Sequence, residues 1–225
     1  MSDLRWIRTA NAGGLLELDG RRLLLDGICG ALDPYLPTPP AILDWLTGQP
    51  VDLAAFTHGH PDHFREAGVH RGLAVWGDIP VLGTRDIAEA LSPRPVTTGA
   101  GASVGPVAVT PIPSRHIGAA YRSTEHRSLL VEGSRRCLFL GDAAPARWEA
   151  RCRQPDILFA PFVYAATDAG WRIVEHLSPG RLVLLHLPAR GNDPEGLWPA
   201  VEGVLSRHRD IPVDIPEMGE TLTIE

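Results

Sequence analysis

The sequence predicts an α/β fold in which two β-sheets are covered by helices. Three observations lead there. Short runs such as residues 51–56 and 181–185 have the length of strands and almost no polar face, as strands buried on both sides do. Helical stretches stand between such runs. Turns and loops, with no linker or low-complexity tract, connect them. Two sheets with helices outside them bury strands of this kind.

The elements follow in order. Residues 15–18 and 22–26 flank Asp19-Gly20, a hairpin signal. A Pro-rich loop runs from Cys29 to Pro40, and residues 41–46 predict a short helix stopped by Gly48. Residues 51–56 predict a buried strand. At its end stands a His-rich run, Thr57-His58-Gly59-His60-Pro61-Asp62-His63. Residues 64–71 predict a helix, 73–76 and 80–82 short strands, and 85–91 another helix. Strands are expected at 106–110, at 128–132 and 137–140 (joined at Gly133-Ser134), and at 156–160. A helix over 165–177 ends at Ser178-Pro179-Gly180. Strand 181–185 follows, with His186 at its end. A helix over 194–208 and a strand at 221–224 close the sequence. Without a linker or repeat, one domain over residues 1–225 is expected.

Composition excludes several functions. The chain is 44% hydrophobic and 21% charged, the balance of a globular protein with a core. No apolar run approaches the length of about 20 residues that spans a membrane. The N-terminus, Met1 to Trp6, carries no apolar signal stretch, so a cytoplasmic location is expected. A net charge of -6 disfavours a nucleic-acid surface, which needs a basic face, and points to a small-molecule substrate. All 21 basic residues are arginine. Without lysine, pyridoxal chemistry and a Walker A loop are impossible. Cys29, Cys137 and Cys152 form no disulfide or metal pattern and read as buried side chains. Gly101-Ala102-Ser103-Val104-Gly105 matches a nucleophile elbow in letters only, because a strand and not a helix is expected after it.

Metal chemistry fits better. His58 and His60 are two apart on an extended segment, so their side chains point the same way. Gly59 lets the backbone pass close. Pro61 suits the first turn of a helix, and that turn is expected to supply Asp62 and His63. Four donors are too many for one tetrahedral ion and suit two neighbours. His116, Asp142 and His186 each fall at the C-terminal edge of an apolar strand. His126 is the rival to His116. It lies just before a strand, whereas His116 follows one. His70, His176 and His208 occupy helical or turn positions and read as solvated. Structural zinc sites lean on cysteine; imidazole and carboxylate with an open position mark catalytic metals. Two divalent ions are expected, zinc first, with manganese or iron admitted by the same donors.

The order HxHxDH, distant His, Gly-Asp, strand-end His resembles the metallo-β-lactamase superfamily. The aspartate ending residues 22–26 and Ser178-Pro179-Gly180 are similar to that family too. Residues 216–220, Pro-Glu-Met-Gly-Glu, resemble the branch containing L-ascorbate-6-phosphate lactonase. The resemblance implies an α/β, four-layer αββα sandwich of two mixed β-sheets flanked by helices. It implies that His58, His60 and His116 hold one ion, that Asp62, His63 and His186 hold the other, and that Asp142 bridges them. It also implies a hydrolase in which the metals share a hydroxide, with Asp62 orienting the water or passing a proton. Hydrolysis of a small ester or lactone is expected. Phosphodiester cleavage and a non-catalytic metal-binding or regulatory role are the alternatives. Arg122, His126 and Tyr164 are expected around the substrate, and a homo-oligomer is left open.

Overall fold

The structure, a computed structural model, describes residues 4–225. Its strands and helices follow in this order: β1 Leu4–Arg8, β2 Gly14–Leu18, β3 Arg21–Leu25, α1 Pro40–Thr47, β4 Leu53–Ala55, α2 Glu66–Trp76, β5 Val81–Leu82, α3 Arg85–Ala90, β6 Ala102–Val104, β7 Val107–Pro113, β8 Arg127–Glu132, β9 Arg136–Phe139, β10 Ile157–Pro161, α4 Asp168–Leu177, β11 Arg181–Leu185, α5 Leu197–Arg207, β12 Val213–Asp214 and β13 Thr221–Ile224. One sheet has the order β13-β1-β2-β3-β4-β5, the other β12-β11-β10-β9-β8-β7-β6. Both are mixed. The hairpin strands β2 and β3 pair antiparallel, while β3, β4 and β5 run parallel. In the second sheet β7, β8 and β9 are antiparallel, and β9, β10 and β11 are parallel.

The layers can be read from single residues. Leu23 and Leu25 of β3 face the second sheet and pack with Val131, Phe139, Phe159 and Val183. Leu24, between them, faces outward onto α1, α2 and α3 through Leu46, Val69 and Ile87. In β11, Val183 and Leu185 point into the inter-sheet core, while Leu182 and Leu184 meet Trp171 of α4 and Val201 of α5. Alternation with apolar residues on both faces is what a strand inside four layers requires. The fold is the αββα sandwich that the resemblance implies.

Residues 73–76 correct an expectation. They continue α2 and do not form a strand. Val69, Gly72 and Leu73 are buried at helical spacing against the first sheet. Gly77, at φ 75°, stops the helix four positions before β5 begins. The sequence also left β1, β6 and β12 unassigned. Strand β6 lies inside the Gly101–Gly105 motif, pairs with β7, and leaves Ser103 exposed on a sheet edge. That placement agrees with the absence of a nucleophile elbow. Among the described residues, no helix is long and apolar enough to cross a membrane. All three cysteines are free and buried.

Candidate metal centre

The ligand candidates converge because the strands that carry them end together. β4 leads into His58 and His60, β7 into His116, β9 into Asp142 and β11 into His186. Backbone hydrogen bonds then lace the loops to each other. Ile117 N–H donates to Asp142 C=O (2.8 Å) and Ala144 N–H to Arg115 C=O (2.7 Å). Arg127 N–H reaches across to Thr57 C=O (2.9 Å). Glycine is required at two points. Gly141 takes φ 56°, and a Cβ there would lie 2.6 Å from Thr57 Oγ1. A Cβ on Gly59 would run into the Asp86 carboxylate. Asp26 (φ 45°) and His186 (φ 61°) also adopt left-handed backbone, a cost of about 1–3 kcal/mol each that the surrounding structure sustains.

Asp62 and His63 arrive differently from the expectation. The turn at Pro61 is not the first turn of α2. Its His63 and Phe64 N–H groups both donate to His60 C=O (3.0 and 2.9 Å). The Pro-rich loop then holds it: Gly30 N–H donates to Pro61 C=O (2.6 Å) and Arg65 N–H to Ile28 C=O (3.0 Å). With these groups satisfied by the loop, helical bonding starts only at Glu66.

All seven candidates come together in two groups. His58, His60 and His116 form one; Asp62, His63, Asp142 and His186 form the other. Within each, the donor atoms lie within 4.8 Å of one another. Asp142 faces both groups. Its Oδ1 is 3.3 Å from both His63 Nε2 and His186 Nε2, and its Oδ2 is 3.6 Å from His116 Nε2. All are buried except His60, which is half-buried.

Hydrogen bonding fixes the ring orientation of His58, His116 and His63. Thr57 Oγ1 donates its one proton to Asp26 Oδ2 (2.6 Å), so it accepts from His58 Nδ1–H at 3.0 Å. His116 Nδ1 faces Ile117 C=O at 2.6 Å and donates to it. Both Nε2 atoms are therefore bare in the neutral rings, and they face each other at 3.2 Å. Two lone pairs at that distance repel unless a cation lies at the site. In the second group His63 Nδ1–H donates to Asp26 Oδ2 (2.9 Å), which turns Nε2 toward Asp142 Oδ1 at 3.3 Å. Asp62 Oδ1 is buried and has no hydrogen-bond partner. Such an atom costs about 1–3 kcal/mol if nothing binds it. The donor set thus fits cation binding in both groups.

Asp26 is the shared support. Its two oxygens take Thr57 N–H (2.8 Å), Thr57 Oγ1–H and His63 Nδ1–H, so one carboxylate orients a ring in each group. Asp26→Ala is expected to weaken metal binding by about 10–100-fold. Competitive titration against a chromophoric chelator reads this. Unchanged affinity would show that the rings hold their orientation without it.

Charge state follows from the same contacts. Burial pushes the Asp142 carboxyl up, but His186 and His63 outweigh it and hold it well below the usual carboxylate range. Asp62 behaves alike: burial is overcome by the His186 hydrogen bond and by His63. Both carboxylates stay ionised. Burial depresses His186, yet Asp142 and Asp62 raise it to about 9. His63 is held well above its ordinary value, with Asp142 and Asp26 overriding burial. His58 and His60 lack an equal carboxylate contact, and burial lowers both.

The substrate-side candidates fare less evenly. His126 is buried, with both nitrogens committed to protein atoms. Asp142 N–H donates to its Nε2 (3.0 Å), and its Nδ1–H donates to Ser114 Oγ (2.8 Å). Ser114 Oγ–H then reaches Ser128 Oγ (3.0 Å), which donates to Leu140 C=O (2.8 Å). Burial drops its pKa to about 3, so the ring is neutral and acts as a brace for the Asp142 loop. Tyr164 is also corrected. It is fully buried beside Trp171 in the outer core, and its hydroxyl donates to Ala144 C=O (3.2 Å). Arg122 is exposed, and its Nε donates to Ala119 C=O (3.1 Å). Two tyrosines that the sequence reading passed over flank the centre. Tyr121 packs on His60 and His116 (ring centroids 5.1 and 5.2 Å). Tyr35 meets His186 edge-on at 4.3 Å. Their only sequence signal is an aromatic ring inside a loop rich in Gly, Ala or Pro near a ligand.

Residues 21–192 match the family model described as the beta-lactamase superfamily domain. The chain belongs to the metallo-β-lactamase superfamily. By sequence, no curated protein matches it. Among solved structures it is similar to Igni18, a metallo hydrolase from the archaeon Ignicoccus hospitalis, at 17% identity and a TM-score of 0.70, covering 100% of this chain and 99% of the other. It is also similar to an isothiocyanate hydrolase from Delia radicum gut bacteria, at 16% identity and a TM-score of 0.69, covering 98% of each chain. CmlA, a diiron β-hydroxylase from Streptomyces venezuelae, matches at 16% identity and a TM-score of 0.69 over 99% of this chain and 53% of its own. At these identities the likeness concerns the fold.

Proposed function

We propose that this protein is a dinuclear metal-dependent hydrolase acting on an ester or lactone of a small molecule. The observation that carries the reading is the pair of adjacent donor groups joined through Asp142. His58, His60 and His116 would hold one divalent ion, and Asp62, His63 and His186 the second, with Asp142 serving both. Zinc is the first assignment; manganese and iron suit the same donors, and a diiron protein shares the fold. When bound, such a pair lowers the pKa of a water to about 7 and polarises a carbonyl oxygen.

The chain's own residues do the rest. Asp62 is ionised, and its buried Oδ1 has no hydrogen-bond partner. It can accept a proton at that atom and return it to the leaving oxygen. Tyr121, half-exposed over His60 and His116, covers the open side of the first group. The loops from 29 to 40 and from 114 to 127 border the centre and would hold the substrate.

Metal analysis followed by a screen of lactones, thioesters and bis-p-nitrophenyl phosphate tests this. Two ions per chain and turnover of an ester or lactone are expected. Turnover confined to the phosphodiester would replace the substrate class. Two ions with no turnover would leave a metal-binding protein. Asp62→Asn is expected to lower kcat by about 10²–10⁴-fold, the range of general acid–base catalysis. A variant with both ions and full turnover would remove the proton role.

A further inference from the structure

Arg8, the last residue of β1, is the only buried arginine among the described residues. Taking a cation out of water is costly unless other groups replace its hydration. No carboxylate is paired with Arg8 among the described residues; three backbone carbonyls take that place. Its Nε–H donates to Ala10 C=O (3.3 Å) and its Nη2–H to Asn11 C=O (2.8 Å), both in the loop between β1 and β2. Its Nη1–H donates to Pro216 C=O (2.7 Å) in the C-terminal segment. The Arg8 backbone binds that segment too. Its N–H donates to Glu220 C=O (3.0 Å), and Gly219 N–H donates to its C=O (2.8 Å). Residues 216–220, the Pro-Glu-Met-Gly-Glu run, are thus the bed on which Arg8 lies.

The other end of this network is a candidate metal ligand. Asn11 C=O accepts a second hydrogen bond, from His186 N–H (3.3 Å), just where β11 ends at Leu185. His186 needs such a hold. Its φ of 61° is disfavoured for a residue with a Cβ and persists only where the surroundings impose it. Its ring Nε2 lies 2.9 Å from Asp62 Oδ2 and 3.3 Å from Asp142 Oδ1, so a turn of the His186 backbone would carry the ring out of the second group. A guanidinium suits the task at the far end. Its planar fork reaches two segments at once, where a lysine would offer one nitrogen.

We propose that Arg8 is a positioning residue of the second metal group: seated on residues 216–220, it fixes the Asn11 carbonyl that holds His186 in its left-handed backbone. The effect on metal rests on the reading above that His186 holds an ion; the hold on the His186 backbone stands without it.

Two measurements keep these apart. Hydrogen exchange of the metal-free protein, followed by NMR, reads the backbone. In Arg8→Lys, which keeps the charge and loses the fork, the His186 amide is expected to exchange at least about ten-fold faster, with the Leu184 amide unchanged. Competitive zinc titration against a chromophoric chelator reads the metal. With the first group disabled by His58→Ala and His60→Ala, Arg8→Lys is expected to weaken zinc by about 10–100-fold and to shift the visible bands of cobalt bound there. In a His186→Ala chain the same substitution should change zinc affinity by less than about two-fold, because the residue it acts through is gone. A merely structural role would lower affinity in both backgrounds alike. Gly219→Ala strains the bed at φ 86° and leaves the Arg8 side chain in place. It is expected to act in the same direction, and it carries the test if melting curves show that Arg8→Lys does not fold. An unchanged His186 amide, zinc affinity unmoved with the first group disabled, or equal losses in the two backgrounds would overturn the proposal. If the His186 amide responds as expected but the unsubstituted chain binds no metal, the hydrolase reading fails and the hold of Arg8 on His186 survives.

Discussion

Asp142→Ala is expected to strip metal from both groups at once. No other candidate has an oxygen toward each: Oδ1 lies 3.3 Å from His63 and His186, and Oδ2 lies 3.6 Å from His116. Removing it takes a negative charge from a pocket that holds four histidines nearby and leaves the second group one carboxylate, Asp62. Affinity should fall by at least about 100-fold at both positions, near 2.7 kcal/mol each. Asp142→Asn is the informative partner. It keeps the shape and the backbone N–H bond to His126 but removes the charge. If charge matters most, Asn should resemble Ala; if the carbonyl oxygen suffices, Asn should retain one ion. Elemental analysis and calorimetry read both variants. An Ala variant that still holds two ions would show that Asp142 is not the link between the groups.

Much of this centre was legible in the sequence because the candidate ligands follow strands. An apolar run of five or six residues marks a strand, and a His or Asp just beyond it marks the sheet edge. His116, Asp142 and His186 were found that way. The run from His58 to His63 could be read because its spacing is local. What escaped depends on distant contacts. Asp26 shows only as an acid at the end of a strand; that one carboxylate supports rings in both groups depends on β3 lying beside β4. His126 stands before a strand as a pocket residue would, yet the antiparallel pairing of β8 with β9 turns it beneath the Asp142 loop. Tyr164 sits in a loop by sequence but is drawn into the core by Trp171. Residues 73–76 are apolar enough for a strand, and only their phase with Val69 shows the helix.

Metal removal is expected to lower stability markedly and to give it a distinct pH profile. A ligand that binds only the folded chain at a thousand times its Kd contributes about 4.1 kcal/mol. For a chain of this size that is a rise in Tm of about 8–16 °C. The metal-free profile follows from the shifted groups. His186, raised to about 9, contributes fully below its ordinary 6.5, and that contribution is lost as pH rises through 9. His63, also raised, acts with the same sign. His126, lowered to about 3, contributes fully above 6.5, and that is lost as pH falls toward 3; His58 acts likewise. Each proton changes stability by about 1.4 kcal/mol per pH unit within its window. The metal-free protein should therefore be most stable near pH 6.5 and weaken on both sides. Metal should abolish the alkaline limb, because the ion takes the place of the proton on His186 and His63. It should leave the acid limb in place, since acid protonates the ligands and releases the ion. Melting curves across pH, with chelator and with zinc, check this. An alkaline limb untouched by metal would mean that neither histidine holds an ion.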